Sequence, residues 1–263
     1  MGSINQIILS ANEDETYLEF WRPVSWAYKQ MFPEVKVHLA LLTKHGENSE
    51  FANELREYGS VTVFHPINGI PEFGQAKMIR FILASQQGND VCYIDDIDLF
   101  PLVKSFITDK TDKRPKDHLL CVGGEVYNNN GCYPVSQMTA EGYIWKKFIN
   151  PNDLNYTALI KSYIKAPEFD FRENILLQTD YDKDSYFSDE RLIRRLISQN
   201  PVDKIETKRG YDNFMDSTID RYDWKVDLEK LDNHGYYNAH GLRPYKKYAE
   251  KYKPLIEYIK KYY

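Results

Sequence analysis

Three carboxylates within four residues, Asp95, Asp96 and Asp98, lie in the run Val91-Cys92-Tyr93-Ile94-Asp95-Asp96-Ile97-Asp98-Leu99-Phe100-Pro101. The run opens as a β-branched and aromatic stretch, which reads as a buried strand. A strand does not carry that much charge into a core, so the acids belong at its carboxyl end, where open α/β sheets bind their ligands. Asp96 and Asp98 are two apart; in extended chain they face one side and can share a hard cation such as Mg²⁺ or Mn²⁺. Two aspartates leave such an ion's shell incomplete, and water or a ligand's phosphates would fill the rest. An isolated Asp-x-Asp is more often a solvated acidic turn, so its weight comes from the residues around it.

Lys77 and Arg80 stand three apart on a helix expected over residues 73–87, immediately before the acidic strand. They share one edge, which is either a solvated basic face or the wall of the same pocket. Ser10-Ala11-Asn12 ends the first apolar strand with small and polar residues suited to a ligand-facing loop. Gly123-Gly124 permits close approach of backbone to a ligand, or simply a tight bend. Ser188-Asp189-Glu190 heads an amphipathic helix over 191–198, where capping and the helix dipole account for the acids without chemistry. Near the end of the chain stands His240-Gly241-Leu242-Arg243-Pro244.

Apolar runs at 4–10, 35–43 and 61–65 alternate with helical patterns at about 14–31, where Pro23 marks an interruption or restart, and at 47–58. This βαβαβ opening predicts a parallel sheet with right-handed crossovers. A further buried strand is expected over 118–123, with helices around 141–148 and 154–163. Residues 104–117 read as a surface loop or short helix, 171–178 are ambiguous, and a Lys/Tyr-rich helix closes the chain over 246–263.

The 263 residues suffice for a full core, and 42% hydrophobic with 28% charged residues is the composition of a globular protein. A net charge of −5 gives no global basic field for nucleic acid. There is no apolar run long enough to span a membrane and no signal-peptide pattern at the start, which leaves a cytoplasmic location as the expectation. Cys92, Cys121 and Cys132 lack metal-ligand spacing and read as buried thiols.

The order of these features resembles the GT-A class of nucleotide-sugar glycosyltransferases: a βαβαβ start, a basic helix, and an apolar strand ending in Asp-x-Asp near residue 100. The resemblance implies an α/β, Rossmann-like fold with a mixed, mainly parallel central sheet flanked by helices. It further implies a single domain with a nucleotide-binding half (1–100), an acceptor-binding half (101–245) and a terminal helix (246–263). By family pattern, Asp96 contacts ribose or metal and Asp98 binds Mn²⁺ or Mg²⁺, with Asp95 able to stand in for one of them. Ser10, Ala11 and Asn12 fall at the base and ribose site, and Lys77 and Arg80 face the donor. Asp189 and Glu190 match the second acidic pair, which touches the transferred sugar or deprotonates the acceptor. His240-Gly241-x-Arg243-Pro244 is similar to a C-terminal segment of the glycogenin and galactosyltransferase group, where the His completes the metal shell and the basic residue holds phosphate. Here the spacing is shorter and Arg replaces Lys.

The implied activity is transfer of a sugar from a nucleotide-sugar donor, UDP-linked before GDP-linked, to a glycan or glycoprotein acceptor. Retention is favoured by His240-Gly241, inversion by Asp189-Glu190 acting as a base. Competing readings are a non-catalytic nucleotide-sugar or glycan-binding module and a phosphatase using the Asp-x-Asp. The phosphatase pattern places its acids on the first strand, whereas three strands precede them here.

Overall fold

Alternate residues of the central strands are apolar on both sides, and the chain covers both faces of the resulting sheet accordingly. The computed structural model describes residues 3–123, 133–165, 188–207 and 217–263. Strand β1 (Gln6–Ala11) sends Ile8 to one face and Ile7 and Leu9 to the other; β2 (Lys36–Leu42) does the same with Ala40 and Leu42 against Leu39 and Leu41. With β3 (Ser60–Phe64) and β4 (Val91–Ile94) they pair in parallel, β1 lying between β2 and β4.

The first helical stretch is two helices, α1 (Glu15–Leu18) and α2 (Trp21–Met31). Asp14 caps α1 by accepting from the Thr16 N–H at 2.9 Å. Pro23 falls in the first turn of α2, where a missing N–H costs nothing, so it marks the restart rather than a kink. Helix α3 (Glu50–Arg56) connects β2 to β3, and α4 (Glu72–Ser85) connects β3 to β4. Helix α4 buries eleven of its fourteen residues, among them Gln75 and Arg80.

After β4 the sheet turns mixed: with Leu119–Val122 as β6, Met138–Glu141 as β7 and Lys204–Thr207 as β8, the order is β3-β2-β1-β4-β7-β6-β8. Strand β5 (Leu99–Pro101) and helix α5 (Lys104–Thr111) precede β6 (Leu119–Val122); β7 (Met138–Glu141) runs antiparallel between β4 and β6. The strand Met138–Glu141 immediately precedes the helix expected around 141–148 and was not among the expected strands. Helices α6 (Gly142–Ile149), α7 (Tyr156–Lys165) and α8 (Ser188–Gln199) follow, and β8 (Lys204–Thr207) extends the sheet in parallel beside β6. The ambiguous segment 171–178 lies outside the described residues, as do Gly124 and Cys132. Cys92 and Cys121 are free, buried thiols.

A second, three-stranded sheet was not anticipated. Strand β10 (Asn238–His240) pairs antiparallel with β5 and parallel with β9 (Thr218–Ile219). Between β9 and β10 come a 3₁₀ turn (Arg221–Asp223) and α9 (Leu228–Asp232), and α10 (Tyr245–Tyr262) closes the chain against α2. One apolar layer holds α4, α6, α7 and α8 with Phe81, Trp145 and Ile193; the other holds α2, β5 and α10 with Trp21, Tyr28 and Tyr252. Among the described residues no helix is long and apolar enough to cross a membrane.

One buried polar group ties the parallel strands and makes a measurable prediction. His38 on β2 is 5% exposed, with Nδ1 3.2 Å from Gln6 Oε1 and Nε2 2.8 Å from Thr62 Oγ1. Burial, assisted by Lys36, pulls its pKa down to about 4 from 6.5. The unfolded chain therefore takes up this proton first as pH falls, so the stability present above pH ~6.5 is lost towards pH ~4. At pH 5 the loss is expected to be about 2 kcal/mol. Urea unfolding of wild type and His38→Gln at pH 7 and 5 checks it: the variant should lack that part of the slope.

Candidate active site

The strand order reverses direction at β1, because the connection from β1 leads to β2 on one side and that from β3 leads to β4 on the other. At such a switch point the loops leaving adjacent strands diverge and open a crevice at their carboxyl ends. Here the crevice is a cavity floored by Ser10 and Ala11 at the end of β1, by Asn12 just beyond it, and by Asp96, Ile97 and Asp98 after β4. Helix α4 adds Phe73, Ala76, Lys77 and Arg80, the head of α8 adds Asp189 and Glu190, and the second sheet adds His240 with Arg243 just beyond. Side chains separated by up to 233 positions in the sequence thus share one wall.

The ionic contacts form two groups. In the first, Arg80 crosses from α4 to donate from Nη1 to the Asp95 carbonyl at 3.0 Å and to the Asp96 carboxylate, while its Nη2 stands 3.4 Å from Asp189. Lys77 Nζ lies 3.6 Å from the same Asp189. Burial works against the charge on Arg80, but Asp96 and Asp189 outweigh it and hold the guanidinium still more firmly protonated.

In the second group, Asp98 Oδ2 stands 3.1 Å from Arg221 Nη1, 3.0 Å from Arg243 Nε and 3.7 Å from His240 Nε2. Burial opposes a charge on His240; the Asp220 carboxylate on its other side, with Asp98 and Asp96, more than offsets this and raises its pKa. Arg243 lies over the ring of Tyr17, with Cζ 4.5 Å from the centroid, and donates to the Tyr17 hydroxyl.

Two residues named from the sequence lie elsewhere. Asp95 continues the pairing of β4, its N–H donating to the Ile8 carbonyl, so its side chain takes the face opposite Asp96. It is 2% exposed and accepts from the Tyr28 hydroxyl at 2.5 Å and the Asp96 N–H at 2.9 Å. Burial first, and Asp96 second, push its pKa up to about 7. Asp95 therefore supports the acidic loop from behind and does not line the cavity. Gly123 ends β6 with φ 86° and donates its N–H to the Thr207 carbonyl at 2.7 Å, away from the cavity-lining residues.

Arg221, Tyr17, Asp14, Phe73 and Val135 line the cavity without having been singled out. Arg221 sits in Asp220-Arg221-Tyr222-Asp223-Trp224, a charged and aromatic cluster visible in the sequence but without a motif to place it.

No protein-family model matches this chain, and no curated protein matches it. Among solved structures, the glycosyltransferase GlyE of Streptococcus pneumoniae TIGR4 matches over 99% of this chain and 64% of its own, with TM-score 0.53 and 10% identity. The fold is that of the GT-A glycosyltransferases. Galactosyltransferase LgtC, in complex with donor and acceptor sugar analogs, matches over 97% of this chain and 95% of its own, with TM-score 0.48 and 12% identity. The chain spans just under two thirds of GlyE, and at these identities the likeness is one of fold.

In this GT-A scaffold Gly241 locks the second sheet onto the acidic loop. Its N–H donates to the Asp98 carbonyl at 2.7 Å, and a Cβ there would lie 2.9 Å from that backbone oxygen and 2.5 Å from the Phe20 ring. Gly241→Ala must push the loop or the ring aside. It is expected to cost about 1–3 kcal/mol of stability and to weaken ligand binding in the cavity, checked by thermal unfolding alongside calorimetry.

The GT-A resemblance also implies a divalent ion on Asp96, Asp98 and His240. The donors do not fit that set as they stand. Asp96 is engaged by Arg80, and the Arg221 guanidinium contacts both Asp98 and His240. Among the described residues no three carboxylate, imidazole or thiolate groups come together as ligands for one ion.

Proposed function

We propose that this protein is a glycosyltransferase that moves a sugar from a nucleoside-diphosphate donor to a hydroxyl of a glycan or glycoprotein. The observation that supports the reading best is the convergence, at the β1/β4 crevice, of small polar loop residues, four permanent cations and a separate pair of acids. Each part has work in such a transfer. Ser10, Ala11 and Asn12 offer a narrow floor with polar edges for base and ribose. Lys77, Arg80, Arg221 and Arg243 attract the diphosphate and stabilise the charge that develops on it as it leaves. Asp189, shared by Lys77 and Arg80, is placed to hold sugar hydroxyls, and Glu190 beside it to take the acceptor's proton.

The walls are partly apolar at Phe73, Ala76, Ile97 and Val135, which suits a sugar ring's C–H face and excludes water from the anomeric carbon. UDP is the nucleotide proposed, ahead of GDP. Incubation with a panel of UDP- and GDP-sugars, following release of nucleoside diphosphate with and without glycan acceptors, tests the reading. Acceptor-stimulated release from one UDP-sugar is expected. Tight nucleotide-sugar binding with no turnover on any acceptor would make the chain a binding module instead, and absence of both binding and release would remove the reading.

A further inference from the structure

We infer that Arg221 and Arg243 take the charge-neutralising place that the Asp-x-Asp pattern assigns to a divalent ion, so that the donor's diphosphate is bound without metal. This rests on the nucleoside-diphosphate reading of the same cavity and specifies how the leaving group is held. A shared ion would have to lie between Asp98 and His240. That interval is spanned by the Arg221 guanidinium, with Nη1 3.1 Å from Asp98 Oδ2 and Nη2 in contact with His240 Nε2.

The placement is built into the fold rather than left to a long side chain in solvent. Arg221 opens a 3₁₀ turn whose N-cap, Asp220, accepts from the Tyr222 N–H at 2.9 Å and stands 3.9 Å from the far nitrogen of His240. The Arg221 side chain is 11% exposed. Arg243 approaches the same Asp98 oxygen from the other side, oriented by the Tyr17 ring and hydroxyl.

Charge counting agrees. Asp98 faces the guanidinium groups of Arg221 and Arg243 and Asp96 faces that of Arg80, so a dication shared by these two carboxylates would meet three fixed positive charges already in place. The same two guanidinium groups bring two positive charges and a fixed fork of donors suited to phosphate oxygens. In the transfer step the bond from the anomeric carbon to the β-phosphate oxygen breaks with its electron pair going to that oxygen. The acceptor oxygen forms the new bond to the anomeric carbon and its proton passes to a carboxylate of the Asp189-Glu190 pair. The diphosphate thereby gains one negative charge, which fixed cations stabilise without giving up a proton.

The test is calorimetric titration of UDP and of GDP into wild type, Arg221→Ala and Arg221→Lys, each in EDTA and in MnCl₂. One nucleotide is expected to bind wild type with a Kd that differs less than twofold between EDTA and Mn²⁺. Arg221→Ala should weaken it tenfold or more, and Arg221→Lys by less. Binding to wild type that appears with Mn²⁺ and vanishes in EDTA overturns the inference while leaving the nucleotide reading intact, and it needs no variant to fold. Unchanged affinity in Arg221→Ala also overturns it. Failure of both nucleotides to bind in either buffer removes the parent reading, and this one with it.

Discussion

Replacing Arg80 by alanine is expected to abolish sugar transfer and to destabilise the fold by about 3–5 kcal/mol. The residue is 4% exposed and holds three otherwise separate groups: the Asp95 carbonyl, Asp96 and Asp189. Truncation removes the guanidinium that joins the carboxyl end of β4 to the head of α8. Two carboxylates are then left facing each other across the cavity without it, and like charges in a low-dielectric wall repel strongly.

Urea unfolding and donor turnover check the two halves of this prediction separately. Arg80→Lys keeps the charge but not the fork that reaches a carbonyl and two carboxylates, so it should retain most of the stability and little of the activity. Arg80→Ala combined with Asp189→Asn should recover part of the stability and none of the transfer. A loss below 1 kcal/mol in the single alanine variant would show that the two acids find other partners.

The second large effect lies away from the cavity. Arg114 and Glu141 form a doubly hydrogen-bonded ion pair, both contacts 2.8 Å, with exposures of 1% and 4%. The same Arg114 Nη1 donates to the His118 carbonyl at 2.7 Å, so the pair pins the turn before β6 to the junction of β7 and α6. Glu141→Ala strands a buried guanidinium and is expected to cost about 3–5 kcal/mol. Arg114→Met with Glu141→Leu removes both charges at similar volume and should regain most of that. A residue of about 1 kcal/mol would remain for the His118 carbonyl left without its donor. Denaturant midpoints of Glu141→Ala, Arg114→Met and the double variant decide it; a large loss in Arg114→Met and in the double variant with little loss in Glu141→Ala would mean that the carbonyl contacts, not the ion pair, carry the stability.

What could be read from the sequence tracks how local its physical cause is. The acids after β4, the small residues after β1 and the basic edge of α4 are each fixed by the element that precedes them, and a strand or helix pattern places them without knowledge of the rest. Asp189, Glu190, His240 and Arg243 could be named but not positioned, because nothing local to them says that α8 and β10 return to the same crevice. Asp95 was grouped with its neighbours although the two-residue period of extended chain already turns it to the other face.

Arg221 and the second sheet were out of reach for a different reason. Strands β5, β9 and β10 are three, two and three residues long, too short to show alternation. Strand β7 was missed because its buried Glu141 looks like the start of a helix until Arg114, twenty-seven positions earlier, is seen to neutralise it.

The way β10 threads between β5 and β9 bears on how the protein comes into being on the ribosome. Strands β1 to β4 and the helices among them can associate once about the first hundred residues have emerged, since these four strands pair with one another. Asp98 meets His240, Gly241 and Arg243 only when the chain beyond β10 is free of the exit tunnel. Until then the nascent loop has Arg80 against Asp96 but lacks the second group of cations around Asp98. In the proposed site the cations around Asp98 are therefore assembled only after the sheet that carries the acids has formed.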